Sequence, residues 1–418
     1  MNRSWSIVIC AISIFLSVGN VSAQTHTLSL DEAIALALTN NPTLKAERTR
    51  INQSRAQETS AGLHPNPFLQ ADAQFLPIFN PSKFSSDNVN QDQQYDLGVG
   101  YLFERGGKRQ KRLQAARDQT EITRFEVSDA ERNLAFSVAQ QFVAGLLAKA
   151  NLDFAIQNLE SFRKTVEISE TRHQAGDISQ GDLLRIKVQL LQFETDVTGA
   201  RVALQQAMLA LRQLVGFDAV AADYQIVGDL TYQPITESLD QVQATALQKR
   251  PDLAATRQSI VAARNQTALA RANGKQDPTT TFDYSHTGGI SSASFFFTIP
   301  LPVFNRNQGE IARSRFAETQ AEYNTKAAEQ AVLTDVQAAY EQAKANGTIV
   351  ELYVSGYLKQ AQESREITGF AFRQGAASLI DLLDAERTYR NTELAYRQAL
   401  ANYLFAAQQL RQAQGLIR

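Results

Sequence analysis

Hydrophobic and polar positions alternate in four short stretches of this 418-residue chain. In "FLQADAQF", Leu69, Ala71, Ala73 and Phe75 fall on one side, and Gln70, Asp72 and Gln74 on the other. In "YDLGVGYLF", Tyr95, Leu97, Val99, Tyr101 and Phe103 oppose Asp96, Gly98 and Gly100. Further on, Phe282 and Tyr284 oppose Thr281, Asp283 and Ser285. Ala293, Phe295, Phe297 and Ile299 then oppose Ser294 and Thr298. A period of two predicts strands, over about 66–77, 93–103, 279–286 and 292–300. The aromatic and branched members of the apolar face are candidates to meet lipid, as in a membrane barrel. A soluble sandwich shows the same alternation.

Long runs free of proline separate these strands. Arg105 to Gln174 and Arg306 to Gln374 each read as one helix of about 70 residues, roughly 100 Å long. Return helices are expected over 182–215 and 381–414. The stretches before the strands, Leu30 to Leu63 and Leu239 to Gly274, also read as helices. Two short helices stacked end to end can then match one long one. Apolar residues recur at sevens, as at Leu152, Leu159 and Val166, which suits coiled-coil packing. Alanine, glutamine and polar residues fill much of the rest, as they would in a wall with one wet face.

The chain is written twice. "SLDEAIALALTNNPTLKA" at Ser29 matches "SLDQVQATALQKRPDLAA" at Ser238, with Pro42 against Pro251. "HQAGDISQGDLL" at His173 matches "RQGAASLIDLL" at Arg373, pairing Gly176 with Gly375, Ser179 with Ser378 and Asp182 with Asp381. The first half carries extra residues in the polar loop "FNPSKFSSDNVNQDQQ". Such a repeat predicts an internal duplication, with residues 24–216 and 238–418 as the two units and 217–237 as a linker. Glycine ends one helix in a left-handed turn, serine caps the next, and an acid follows three residues on.

Composition narrows the function. Arg3, an apolar run and "VSA" predict a secretory signal over 1–23. Cys10, the single cysteine, lies inside it after Ile9, so the mature chain is expected to have no disulfide and no lipid anchor. The formal charge of −2 leaves no nucleic-acid footprint. His26, His64, His173 and His286 are scattered, and Met208 is the one methionine after the signal, so no metal or cofactor site is expected. "ERGGKR" lacks phosphate-loop spacing and reads as a strand-to-helix corner. No nucleophile, base and orienting acid form a set, so no enzyme is expected. Four strands cannot close a barrel, and an open edge cannot sit in lipid, so the chain must borrow strands from copies of itself.

The duplication, "SLDEAIALALTNNP", "PLPVFNRNQGEIARS" and "GAASLIDLLDAERT" together resemble the TolC-like outer-membrane efflux channels over essentially the whole mature sequence. The wording around "PNPFLQ" and "FERGGKRQKR" is most similar to the heavy-metal branch of CzcC and CusC type. The resemblance implies a mostly α fold with a small β part. A homotrimer would share a 12-stranded β-barrel in the outer membrane and a helical tunnel across the periplasm. It also implies a passive duct docked onto a periplasmic adaptor and an inner-membrane RND-type pump. Heavy-metal cations would be the cargo. Drugs or a secreted protein are the alternatives, and a periplasmic coiled coil without a barrel is a rival of another class. The turns at Gly176, Gly375, Ser179 and Ser378 would form the tip that meets the adaptor. Acids matching Asp381 and Asp384, with Asp182 nearby, would ring the closed mouth, and Phe372 falls where relatives have an aromatic gate residue. Ala377 departs from those relatives that have a basic residue there. A plainer reading makes Asp182 and Asp381 helix caps and Asp384 a surface partner of Arg387.

Overall fold

The computed structural model of the chain describes residues 27–83 and 93–417. The expected signal segment, Cys10, His26 and most of the polar loop after Phe79 lie outside the described residues. Strand β1 (Thr27–Leu28) leads into helices α1 (Leu30–Asn40) and α2 (Pro42–Gly62). Strands β2 (Phe68–Gln74) and β3 (Gln94–Leu102) follow, then α3 (Lys108–Gln174) and α4 (Gln180–Val215). A linker holding β4 (Gln225–Ile226) joins this run to α5 (Leu239–Lys249) and α6 (Pro251–Asn273). Then come β5 (Thr279–Thr287), β6 (Ile290–Thr298), α7 (Gln308–Leu352), α8 (Leu358–Arg373) and α9 (Leu379–Ala413). The molecule is mostly helical, with few strands, and the same order of elements appears twice.

Three helices expected as single pieces are divided. Pro42 and Pro251 begin α2 and α6, so Leu30 to Leu63 and Leu239 to Gly274 are each two helices. The cause is local: proline has no N–H to donate, and it pushes the residue before it out of the helical region. Asn41 and Arg250 accordingly sit at ψ 121° and 120°. The third division is in the second long run, where α7 and α8 are separated by a π-helical segment, Tyr353–Tyr357. The first long helix, α3, runs 67 residues without a break.

Matching residues make matching contacts in the two halves. Ser29 and Glu32 form a reciprocal cap at the start of α1, and Ser238 and Gln241 form one at the start of α5. Arg48 donates to the Leu38 carbonyl at 2.7 Å and to Glu131 at 2.6 Å. Arg257 donates to the Leu247 carbonyl at 2.8 Å and to Glu329 at 2.9 Å. "ERGG" is the corner between β3 and α3, where Asp277 accepts from the Arg105 N–H and from Lys108 Nζ.

The sheet runs β2–β3–β5–β6, all antiparallel neighbours. Its register aligns Leu69, Val99, Phe282 and Phe295 in one row. Adjacent rows on that face hold Leu97 with Tyr284, and Tyr101 with Thr280 and Phe297. Leu69 and Phe295 are about 70% exposed in the single chain, at 71% and 69%. The opposite face carries Asp72, Asp96 and Ser285 in one row and Gln70, Gly98, Asp283 and Ser294 in the next. Phe75 leaves the alternation, because it stands just past β2 at φ 59°, a left-handed backbone that ends the strand.

Helices continue the lateral order of the strands. On the sheet side of the molecule the neighbours are α2, α3, α6 and α7. On the hairpin side they are α4, α3, α9 and the α7–α8 run. Between them lies a belt, where β1 pairs with β4 and Leu28, Ile34, Val138, Leu211 and Ile226 form a buried core. Among the described residues, therefore, the sheet and the helix row on each side of the belt are single rows, each with an unpaired edge on both sides. The edge helix α4 exposes Leu184, Val188, Leu191, Val202 and Leu209 along one stripe. The opposite edge exposes Ile349, Leu352, Val354, Tyr357, Ile367 and Phe370. No helix among the described residues is long and apolar enough to cross a membrane.

Candidate functional site

The two hairpin turns are built from the same parts. Gly176 and Gly375 adopt φ 86° and 75°, which a side chain resists. Around Gly176, the Asp177 N–H reaches the Arg172 carbonyl at 2.8 Å and the Gly176 N–H reaches the His173 carbonyl at 3.0 Å. Around Gly375, the Ala376 N–H reaches the Ala371 carbonyl at 2.8 Å and the Gly375 N–H reaches the Phe372 carbonyl at 3.0 Å. Each pair satisfies the last carbonyls of a helix in a Schellman turn.

Serine then restarts the chain as a helix. Ser179 Oγ accepts from the Asp182 N–H at 3.1 Å and donates to Asp182 Oδ2 at 2.8 Å. Ser378 completes a full box with Asp381: its own N–H donates to Asp381 Oδ2 at 3.0 Å, and its Oγ accepts from the Asp381 N–H at 3.2 Å. The Ser378 hydroxyl and N–H hold the Asp381 carboxyl below the usual range. Asp384 accepts from Arg387 at 2.7 Å, with both side chains well exposed. In the single chain, then, Asp381 completes a capping box, Asp182 bonds only the hydroxyl of the cap Ser179, and Asp384 forms a surface pair.

Phe372 is buried in the single chain. It is 4% exposed and packs with Leu159, Phe162, Ile186, Leu379 and Leu382. Arg172, at the end of α3, donates to the Phe372 carbonyl at 2.6 Å and lies over its ring at 5.1 Å. Two more arginines tie the hairpins together. Arg390 donates to Asp196 at 2.9 Å and lies over Phe193 at 5.0 Å. Arg397 donates to the Ala150 carbonyl at 2.6 Å and lies over Phe154 at 4.7 Å. None of these three was visible beforehand, because their partners are 194 to 247 positions away along the chain. Among the described residues, no group of three or more histidine, cysteine, aspartate or glutamate side chains could hold a metal ion.

This geometry has relatives. The chain is 23% identical over 384 residues to the cobalt-zinc-cadmium resistance protein CzcC of Cupriavidus metallidurans, covering 91% of this chain and 88% of that one. It is also 23% identical over 397 residues to the pyoverdine export outer membrane protein OpmQ of Pseudomonas aeruginosa, covering 89% and 82%. A solved structure of CusC superposes with a TM-score of 0.74 over 96% of both chains, at 20% identity. That likeness extends to a fold with an α-barrel and a β-barrel. The family model described as "Outer membrane efflux protein" matches residues 33–217 and 242–416, one match on each half, and the chain belongs to that family.

Proposed function

We propose that three copies of this chain close into one passive export duct. The outer-membrane protein extends into the periplasm, as its relatives do. What carries the closure is the pair of unpaired edges that the sheet and the helix rows show among the described residues. β2 and β6 leave unpaired backbone on both sides of the sheet, which lipid does not tolerate. The exposed stripes on α4 and on α7–α8 offer a coiled-coil seam to a second copy. A head-to-tail contact of this kind must close into a ring. Three copies of a four-stranded sheet give a barrel of twelve, an even number within the bacterial range. The apolar rows through Val99 and Phe282 would face lipid, and the Asp72, Asp96 and Asp283 face would line the water. Mass measurement of the detergent-solubilised protein tests this, with three chains per particle expected. A monodisperse monomer with full strand content would refute it.

In this reading the duct is energised by an inner-membrane RND-type pump through a periplasmic adaptor that meets the Gly176 and Gly375 turns. Resistance to cobalt, zinc and cadmium belongs to a relative's name, and the acidic inner face of the sheet suits cation cargo. The pyoverdine exporter is as similar in identity, so a siderophore or drug cargo is the second reading. Metal sensitivity of a deletion strain separates them. The tip would be the gated end. Asp384 is exposed one turn beyond the cap, and three copies of Asp381 and Asp384 would place six carboxylates around a narrow mouth. Such a ring favours cations. Asp384→Ala is therefore expected to reduce cation selectivity and block by multivalent cations in single-channel recordings. Unchanged selectivity would leave Asp384 as a surface partner of Arg387 only.

A further inference from the structure

A groove opens on the belt, where the linker strand β4 meets α3 and the end of α4. It holds about 560 Å³, the size of a small-molecule site. Leu204, Met208, Leu209 and Ile226 give it an apolar floor, and Lys149 of α3 and Arg212 of α4 also line it. None of its lining residues is acidic.

Both cations are held by carbonyls, and neither is neutralised. Lys149 Nζ donates to the Ile226 carbonyl at 3.2 Å. Arg212 donates through Nε to the Val220 carbonyl at 3.0 Å and through Nη2 to the Phe217 carbonyl at 2.9 Å. It also lies over the Phe217 ring at 5.2 Å. Arg212 Nη1 and the remaining N–H groups of Lys149 are left for a ligand. Among the described residues neither side chain forms an ion pair, although Asp153, Asp218 and Asp223 are close along the chain. Tyr224, also in the lining, is buried, and its hydroxyl donates to the Met208 carbonyl at 2.6 Å. Burial pushes that hydroxyl up to about 12, so it brings no negative charge to the groove.

The second half has no such groove at the matching arginine. Arg411 stands before Gly415 as Arg212 stands before Gly216. Around Arg411 an acid, Asp31, lines the cavity, and only about 20 Å³ is open. The first half has the arginine without the acid, and the space is open. Two uncompensated cations above an apolar floor match an anion carried on an apolar body. Bilayer lipid is too far away to supply it. Lys149 lies about 60 Å along α3 from the end that follows the sheet.

We propose that this belt groove binds a water-soluble organic anion, a carboxylate, sulfonate or phosphate on an apolar body. The anion accepts from Arg212 Nη1 and Lys149 Nζ, and the body covers Leu204, Met208 and Leu209. Leu209 also belongs to the exposed stripe of α4, so a second copy is the rival occupant. The opposite edge offers a stripe of apolar side chains such as Ile349 and Leu352, which answer Leu209 but not the two cations. The inference holds whether or not the duct reading does.

Calorimetric titration of the full-length protein in non-ionic detergent tests it, with naphthalenesulfonate as probe and naphthalenemethanol as its uncharged counterpart. One sulfonate per chain is expected to bind, and the alcohol about tenfold more weakly or worse. Lys149→Gln is expected to weaken the sulfonate about tenfold. Arg212→Gln should weaken it further, but it also removes two bonds to the linker. Ala222→Phe avoids that difficulty: Ala222 is exposed in the lining, and a ring there fills the groove with both charges intact. It is expected to abolish binding without shifting thermal unfolding. Arg411→Gln is expected to bind as wild type does. Absence of binding in wild type, equal affinity for the alcohol, or unchanged affinity in both Lys149→Gln and Ala222→Phe would overturn the site. Loss of the oligomer in Lys149→Gln with unchanged sulfonate affinity would assign the cations to a second copy instead.

Discussion

Val99→Arg is expected to abolish assembly in the outer membrane. Val99 stands in the middle of the sheet's apolar face, between Leu69 on β2 and Phe282 on β5, and Phe295 extends the row on β6. A charged residue on the lipid face of a barrel costs about 2–4 kcal/mol near the midplane. A ring of three copies bears that cost three times over, against native stabilities of order 5–15 kcal/mol. The control is Ser294→Arg, on the opposite face beside Asp283. That face would meet water, so the variant is expected to assemble and to alter ion selectivity. Membrane fractionation with heat-modifiability on gels reads both. Wild-type trimer levels in Val99→Arg would mean that this face does not meet lipid.

Arg250→Ala is expected to produce the largest loss of stability at the belt. The Arg250 side chain is 8% exposed and grips Asp252 with two bonds, at 3.0 and 2.6 Å, while reaching Asp335 at 3.2 Å. Burial pushes the Asp252 carboxyl up, but the Arg250 bonds outweigh it and leave the group below its usual range. Truncating a buried partner strands the other charge. Asp252 and Asp335 keep some access to water, so the loss should be about 2–3 kcal/mol, at or under the low end for a fully buried pair. Arg250→Ala with Asp252→Ala should recover part of it, because the stranded carboxylate is gone. Thermal unfolding in detergent measures both variants. A single variant as stable as wild type would show that the network contributes nothing.

The residues that the sequence placed correctly are those whose partners are close along the chain. The period of two put Leu69, Val99, Phe282 and Phe295 on one face, and strand register then aligned them. Ser378 and Asp381 are three apart, and a helix start brings that spacing together regardless of the rest of the fold. The left-handed turns at Gly176 and Gly375 are equally local. Even the plainer reading of Asp384 as a partner of Arg387 follows from three-residue helical spacing.

Everything decided by which helices become neighbours stayed out of reach. The position of Phe372 matched an aromatic residue of relatives, but only the packing shows its surroundings: in the single chain it is buried, because α3, α4 and α9 converge around the end of α8. Arg172 finds the Phe372 carbonyl 200 positions away, and no local pattern encodes that distance. The glycines make the same point. Gly145 and Gly356 both sit in long helical runs, and the intrinsic cost of glycine is the same at either site. At Gly145 the belt strand packs so closely that a Cβ would meet the Ile226 side chain at 2.9 Å, and the helix runs straight. At Gly356 only the end of Gln360 comes within 4 Å of a built Cβ, and the helix passes into a π-helical segment. Sequence alone determined the alternation of the strands, the caps and the turns of this protein, because these rest on spacings of a few residues. Tertiary packing alone decided where the second long helix breaks and what holds its end, because those depend on surfaces that meet only once the wall is assembled.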